Sequence, residues 1–226
     1  MITSVQNPLV KSTTKLHQKK YRDQMSSYLV IGEHELGEAL KYGKARHLFS
    51  IDDTYQKVSP HVMKKMTGGI KSNVLGVFEK PKPKALKEKV LVCENLQDPG
   101  NMGTLMRSAV GFGFNDVICI GGVDPYHPKV ISSSEGYFSH LNILVLKFED
   151  AVRALDGYHH VLTQPGSVKH SIPQKPLALW LGNEGQGLTQ DALGLKGTSW
   201  GIQTGTIESL NVAVAGSIIM HALKDV

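Results

Sequence analysis

From residue 90 onward the chain alternates short apolar runs with stretches of helical periodicity, and this alternation restricts its fold more than any other feature. Residues 90–93, 117–120, 143–146, 160–163 and 177–181 read as buried strands, while 102–111, 149–155 and 209–223 read as helices. Strands that are apolar throughout and separated by helices belong in a mostly parallel sheet covered on both faces, so this half is expected to be α/β. Ahead of it, residues 28–31, 47–51 and 73–78 read as strands and 33–42 and 59–66 as helices, preceded by a basic helical arm. Between the halves, Lys80-Pro81-Lys82-Pro83-Lys84 supports neither a helix interior nor a central strand, because each proline removes an amide donor and restricts its predecessor. The expected organisation is a small α/β domain over residues 1–79, a linker over 80–89 and a second domain over 90–226.

At 226 residues, 41% hydrophobic and 20% charged, the chain can bury a sizeable core, which excludes disordered, collagen-like and disulfide-scaffold classes. Its apolar runs, 212–220 among them, fall short of the roughly 18 residues that span a bilayer. Residues 1–8 lack the apolar core of a secretory signal, so the expected location is the cytoplasm, with no membrane partner. Cys93 and Cys119 each lie in an apolar run and are expected to be reduced core residues.

The net charge of +5 is unevenly spread. Residues 1–79 carry twelve Lys/Arg against seven Asp/Glu, residues 80–89 five lysines against one glutamate, and residues 90–226 eight basic against twelve acidic groups. The front half is therefore suited to a polyanion. Lys11, Lys15, Lys19, Lys20 and Arg22 meet no acidic residue within the first 22 positions and are the candidate RNA phosphate contacts. A charge run alone also fits a plain solvated helix; the asymmetry between the halves favours nucleic acid.

In the second half several enzyme classes drop out. No Gly-x-x-x-x-Gly-Lys-Ser/Thr occurs, and neither Asn95–Gly100 nor Gly111-Phe112-Gly113 makes a dinucleotide fingerprint. The ten histidines lack the i, i+4 pair of a zinc hydrolase, and no metal is assigned. Three polar turns at strand-to-helix junctions stand out. Residues 98–107 open a helix, with Asn101 as a possible cap and Arg107, one of two arginines in this half, among Leu105, Met106, Ala109 and Val110. Residues 179–188 leave a buried strand through Gly182, Gly185 and Gly187, which let a ligand approach the backbone closely. Residues 205–217 form another polar turn before a helix rich in small residues, where Ser209 and Asn211 either cap the helix or hold a hydroxyl.

Together these segments resemble the motif set of the SpoU (TrmH) branch of the SPOUT RNA 2′-O-methyltransferases: Asn101-x-Gly103-x-x-x-Arg107, Leu181-Gly182-Asn183-Glu184-Gly185-x-Gly187-Leu188, and Glu208-Ser209-Leu210-Asn211-Val212. Residues 1–79, opening with Ser4-x-x-Asn7-Pro8-Leu9-Val10-Lys11, resemble the L30e-like substrate-binding domain of the same family. The resemblance implies a homodimer and a carboxyl-terminal trefoil knot that binds S-adenosylmethionine. It places cofactor contacts at Gly182, Asn183, Glu184, Gly201, Ile202, Gln203, Leu210 and Asn211, and a catalytic group of Asn101, Arg107, Glu184, Ser209 and Asn211. Two positions depart from the family pattern: Ser132 stands where an arginine is usual, and Gly201-Ile202 stands where Ile-Pro is usual.

The implied reaction moves a methyl group from a sulfonium to a ribose hydroxyl, which must shed a proton. A guanidinium is a poor general base, so Arg107 is expected to clamp a neighbouring phosphate and stabilise the developing alkoxide while Ser209 or Asn211 orients the hydroxyl, the proton leaving through Arg107, a phosphate oxygen or water. The two-domain layout favours ribosomal RNA over transfer RNA as substrate. The rival reading is a non-catalytic RNA-binding or ribosome-assembly factor on the same fold; a DNA-binding regulator lacks a helix-turn-helix pattern.

Overall fold

A computed structural model describes residues 1–167 and 173–226. Its backbone divides along a boundary that the linear reading did not anticipate: residues 1–82 group with 124–139, and residues 83–123 with 140–226. The segment 124–139, expected in the second domain, thus belongs to the first unit.

In the first unit, α1 (Pro8–Lys15) begins where the sequence signals it. Asn7 Oδ1 accepts from the Leu9 amide at 2.9 Å, and Pro8 fills the first helical position, where no amide is needed. α2 (Lys19–Gln24) follows, then β1 (Ser27–Ile31), α3 (Glu33–Tyr42), β2 (Ala45–Ser50), β3 (Gln56–Lys57), α4 (Pro60–Met66) and β4 (Val74–Glu79). The sheet runs β1-β4-β2-β3, with β4 antiparallel to both neighbours and β3 parallel to β2. Val10 and Leu16 of the basic arm are buried with Leu29, Phe49, Val62 and Leu75, so the arm is part of the core and only its polar face is free.

In the second unit the chain forms β5 (Lys89–Glu94), α5 (Pro99–Gly111) and β6 (Asp116–Ile120). It then gives the first unit α6 (Pro128–Ser133) and most of a 3₁₀ turn (Tyr137–His140), and returns to the second through β7 (Asn142–Leu146), α7 (Phe148–Ala154), β8 (His159–Thr163), β9 (Leu177–Leu181), α8 (Gln190–Leu193), β10 (Gly197–Trp200) and α9 (Val212–Ala222). All pairs in the six-stranded sheet are parallel, in the order β10-β8-β9-β5-β6-β7. The apolar alternation of the sequence is realised, and β10 is a sixth strand it did not show, since Gly197-Thr198-Ser199-Trp200 has one large apolar residue. Cys93 and Cys119 form no disulfide, are buried and are paired in register across β5 and β6.

Two features hold α9 against this sheet. A Cβ added to Gly216 would meet Leu181 and Leu105 carbons at 2.5 and 2.6 Å, so glycine lets the helix sit tightly on β9 and α5. The small residues of the last helix are explained by that packing. At its other end Lys89 is not linker, as expected, but the buried first residue of β5; its Nζ donates to the Leu223 carbonyl at 3.0 Å and to the Lys224 carbonyl. Those carbonyls belong to the cap of α9 and the residue after it, where a cation complements the helix dipole.

Candidate functional site

The strand order determines where a ligand can collect. β10, β8, β9 and β5 are consecutive neighbours and parallel, so the loops leaving their carboxyl ends lie side by side. From β5 the chain moves on to β6 and from β9 to β10, on opposite sides, so the sheet switches direction between the adjacent β9 and β5. A cavity of 260 Å³ opens here, lined by Thr163–Pro165, Leu181–Gly187, Trp200–Ile202, Thr204, Glu208–Leu210 and one side of α9 at Val212, Ala215 and Ile219.

The three polar segments meet through side chains. The Glu184 carboxylate accepts from the amides of Gln97 at 3.1 Å and Asp98 at 3.0 Å, just where α5 begins, and from Asn101 Nδ2 at 3.2 Å. Asn101 Oδ1 in turn accepts from Asn211 Nδ2 at 3.0 Å. Asn211 Oδ1 caps α9, accepting from Ala213 and Val214 amides at 2.9 and 3.3 Å. The glycine turn is held separately: Asn183 Nδ2 donates to the Asn95 carbonyl at 3.0 Å while its Oδ1 accepts from Gly185 and Gln186. Partial burial opposes ionisation of Glu184, but the donated hydrogen bonds outweigh it and hold the carboxyl below its ordinary value.

Several expectations need revision. Asn101 does not cap α5. Asp98 does, its Oδ1 accepting from the Asn101 amide at 2.8 Å, and this frees the Asn101 amide group to bridge the other two segments. Ser209 precedes α9, which starts at Val212 rather than at residue 209. Gln203 is exposed and does not line the cavity, and residues 201–203 follow β10 instead of ending it. Arg107 is exposed on α5, so its placement among apolar residues carries no desolvation cost, and it is not among the residues lining this cavity. Arg22, read as a phosphate contact, is turned inside the first unit: its Nε donates to Asp124 at 2.7 Å, its Nη2 is 2.6 Å from the same carboxylate, and its Nη1 donates to the Leu16 and His17 carbonyls. The missing acidic neighbour comes from residue 124, far along the chain. Lys11, Lys15, Lys19 and Lys20 are exposed, with Lys19 paired to Asp23 at 2.7 Å.

The loop after β8 was not foreseen. Gln164 and Pro165 form one wall of the cavity, and the Gln164-Pro165-Gly166 turn was the signal available for it. This loop explains Gly201: a Cβ there would meet the Gln164 carbonyl oxygen at 2.3 Å and the Ser167 oxygen at 2.8 Å. Beyond the site, buried Glu94 on β5 accepts from the Thr189 amide and hydroxyl at 2.9 and 2.7 Å, fixing the exit of the glycine turn.

The chemistry of the lining fits S-adenosylmethionine. Backbone amides and carbonyls of the glycine turn and the apolar Ile202, Leu210 and Ile219 suit an adenosine, and the carboxylates of Glu184 and Glu208 suit a cationic sulfonium and ammonium. Among the described residues no group of three or more His, Cys, Asp or Glu side chains is placed to hold a metal ion, and no helix is long and apolar enough to cross a membrane.

The fold and this pocket define an α/β methyltransferase of the SPOUT type. Over its full length the chain matches, at 26% identity and a TM-score of 0.86, a crystal structure of an AdoMet-bound rRNA methyltransferase from Sinorhizobium meliloti, covering 99% of this chain and 97% of that one. It is 32% identical to the 23S rRNA (guanosine(2553)-2′-O)-methyltransferase RlmP of Bacillus subtilis, over 99% of this chain and 98% of that protein. It is also 32% identical to an uncharacterised tRNA/rRNA methyltransferase of Synechocystis, over 99% and 93%. Residues 88–221 match the SpoU rRNA Methylase family, and residues 7–76 match the MRM3-like substrate binding domain. The chain belongs to the SpoU rRNA methylase family.

Proposed function

We propose that this chain transfers a methyl group from S-adenosylmethionine to a ribose 2′-hydroxyl of ribosomal RNA. The observation that carries the reading is the side-chain bridge Glu184–Asn101–Asn211, which joins three distant segments beside one cavity at the switch point of a parallel sheet. The cofactor supplies an electrophilic methyl group. Gly182, Asn183, Gly201, Ile202 and Leu210 are assigned to holding it, with Glu184 offsetting its positive charge. Asn101 and Asn211 fix the geometry, and Ser209, which also lines the cavity, orients the acceptor hydroxyl. Arg107 is assigned to the RNA: its planar fork binds a phosphate beside the target nucleotide and stabilises the alkoxide as the hydroxyl loses its proton.

The homodimer belongs to this proposal. It is supported by Val214 and Ile218, which are 49% and 45% exposed one turn apart on α9, the helix packed beside the one bearing Arg107. The trefoil knot is likewise part of the reading, supported by the family membership, and so is a cytoplasmic site of action, supported by the likeness to the Bacillus subtilis enzyme. The first unit, with exposed Lys11, Lys15, Lys19 and Lys20, delivers the RNA.

The test is transfer of labelled methyl from S-adenosylmethionine to ribosomal RNA taken from cells lacking the protein, followed by mapping of ribose methylation. Incorporation at a single ribose is expected, and a 2′-deoxy nucleotide at that position must abolish it. Tight cofactor binding with no transfer to any ribosomal RNA would favour the non-catalytic reading.

A further inference from the structure

The polar face of the basic arm carries an aromatic ring that the phosphate reading does not use. Tyr21 lies on α2, half-buried, and two ammonium groups stand over its ring: Lys15 Nζ from α1 at 5.2 Å from the centroid and Lys20 Nζ at 5.9 Å. Both lysines are exposed and Tyr21 itself is only partly buried. The nearby acid, Asp23, is engaged by Lys19 and Lys80 at 2.7 and 2.6 Å and leaves the field around the ring positive. Among the described residues the Tyr21 hydroxyl makes no hydrogen bond, so the ring face with its two lysines is what this side chain offers a ligand.

We propose that Tyr21, with Lys15 and Lys20, forms a stacking site for one unpaired base of the RNA that the arm binds. The proposal rests on the RNA-binding reading above. An exposed cation–π contact is weaker than the stacking of a base on an aromatic ring, and the displaced ammoniums gain phosphates as partners. A base therefore replaces the lysines over the ring and draws each to its flanking phosphate. Single-stranded or looped RNA is the class of ligand that offers such a base; a continuous duplex keeps its bases stacked within itself.

The experiment measures binding of the full chain to a short fluorescein-labelled single-stranded oligoadenylate as a function of salt. Tyr21→Leu is expected to lose about 5- to 100-fold in affinity with the salt slope unchanged, and Tyr21→Phe to bind like wild type. Lys15→Ala is expected to make the slope shallower by about 0.7, the loss of one phosphate contact. Should Tyr21→Leu bind as tightly as wild type, the stacking site is overturned while the RNA-binding reading stands. A wild-type chain that binds no RNA overturns both. If the melting curve shows that Tyr21→Leu is unfolded, photocrosslinking of wild type to 5-bromouridine RNA decides: an adduct on the Tyr21 peptide supports the site, and adducts confined to other peptides overturn it.

Discussion

Two polar clusters, one in each unit, use the same kinds of groups to opposite ends. In the first unit Arg22 and Asp124 are 1% and 9% exposed and meet through two guanidinium nitrogens, while the third donates to two backbone carbonyls. In the second unit Glu184 is exposed and held by amides and an asparagine, with no cation among its partners in the described residues. A buried charge is tolerable only when fully matched, and a matched charge offers nothing to a ligand. The Arg22 pair is therefore architecture, tying the helical arm to the segment 124–139. The Glu184 cluster keeps its charge below neutral pH by hydrogen bonding while remaining open, which suits a site that must receive a cation.

Substitutions in the two clusters test this contrast. Arg22→Ala leaves Asp124 buried and unpaired, and is expected to destabilise the first unit by about 3–5 kcal/mol in a urea titration, far more than loss of any exposed arm lysine. A cost below that of Lys20→Ala would show that the pair is not structural. Arg107→Lys keeps the charge but loses the planar fork, so turnover should fall about 10²- to 10³-fold while calorimetric affinity for S-adenosylmethionine stays within twofold. Near-normal turnover of this variant removes the clamp.

Glu184→Gln removes the negative charge but keeps one acceptor, and is expected to weaken cofactor binding by about tenfold, with the melting temperature little changed. The depressed carboxyl also sets a pH limit. Because the folded value lies below the ordinary one, cofactor affinity should stay level as pH falls through about 4.3 and decline only below that, together with the stability this group contributes. An affinity that already declines between pH 6 and about 4.3 in step with a single proton would contradict the hydrogen-bonded state of this group. Asn211→Ala is the mildest case: loss of the cap on α9 costs about 1 kcal/mol in stability.

The segment 124–139 also changes how the domains can be tested. Tyr28 of β1 stacks with Phe78 at 5.8 Å between ring centroids and meets Tyr126 and Phe138 at 5.2 and 5.3 Å. Deleting residues 1–79 would strip Asp124, Tyr126 and Phe138 of their cover, so lysine substitutions on the intact chain are the cleaner probe of RNA binding.

Local chemistry settled much of this molecule in advance. Runs such as Leu177–Leu181 and Glu33–Tyr42 appear at the bounds their periodicity gives, because apolar spacing and turn residues act within a few positions. The three polar segments were legible for the same reason, as turns at strand ends. What only the tertiary structure decided were pairings across the chain. Arg22 finds its carboxylate 102 positions away, and Asn211 reaches Asn101 across 110. Whether Arg22 points at solvent or inward, whether Asn101 caps a helix or bridges two loops, and which three strand ends share one cavity all depend on strand order. A sequence records each residue's neighbours along the chain; burial and hydrogen bonding are decided by its neighbours in space.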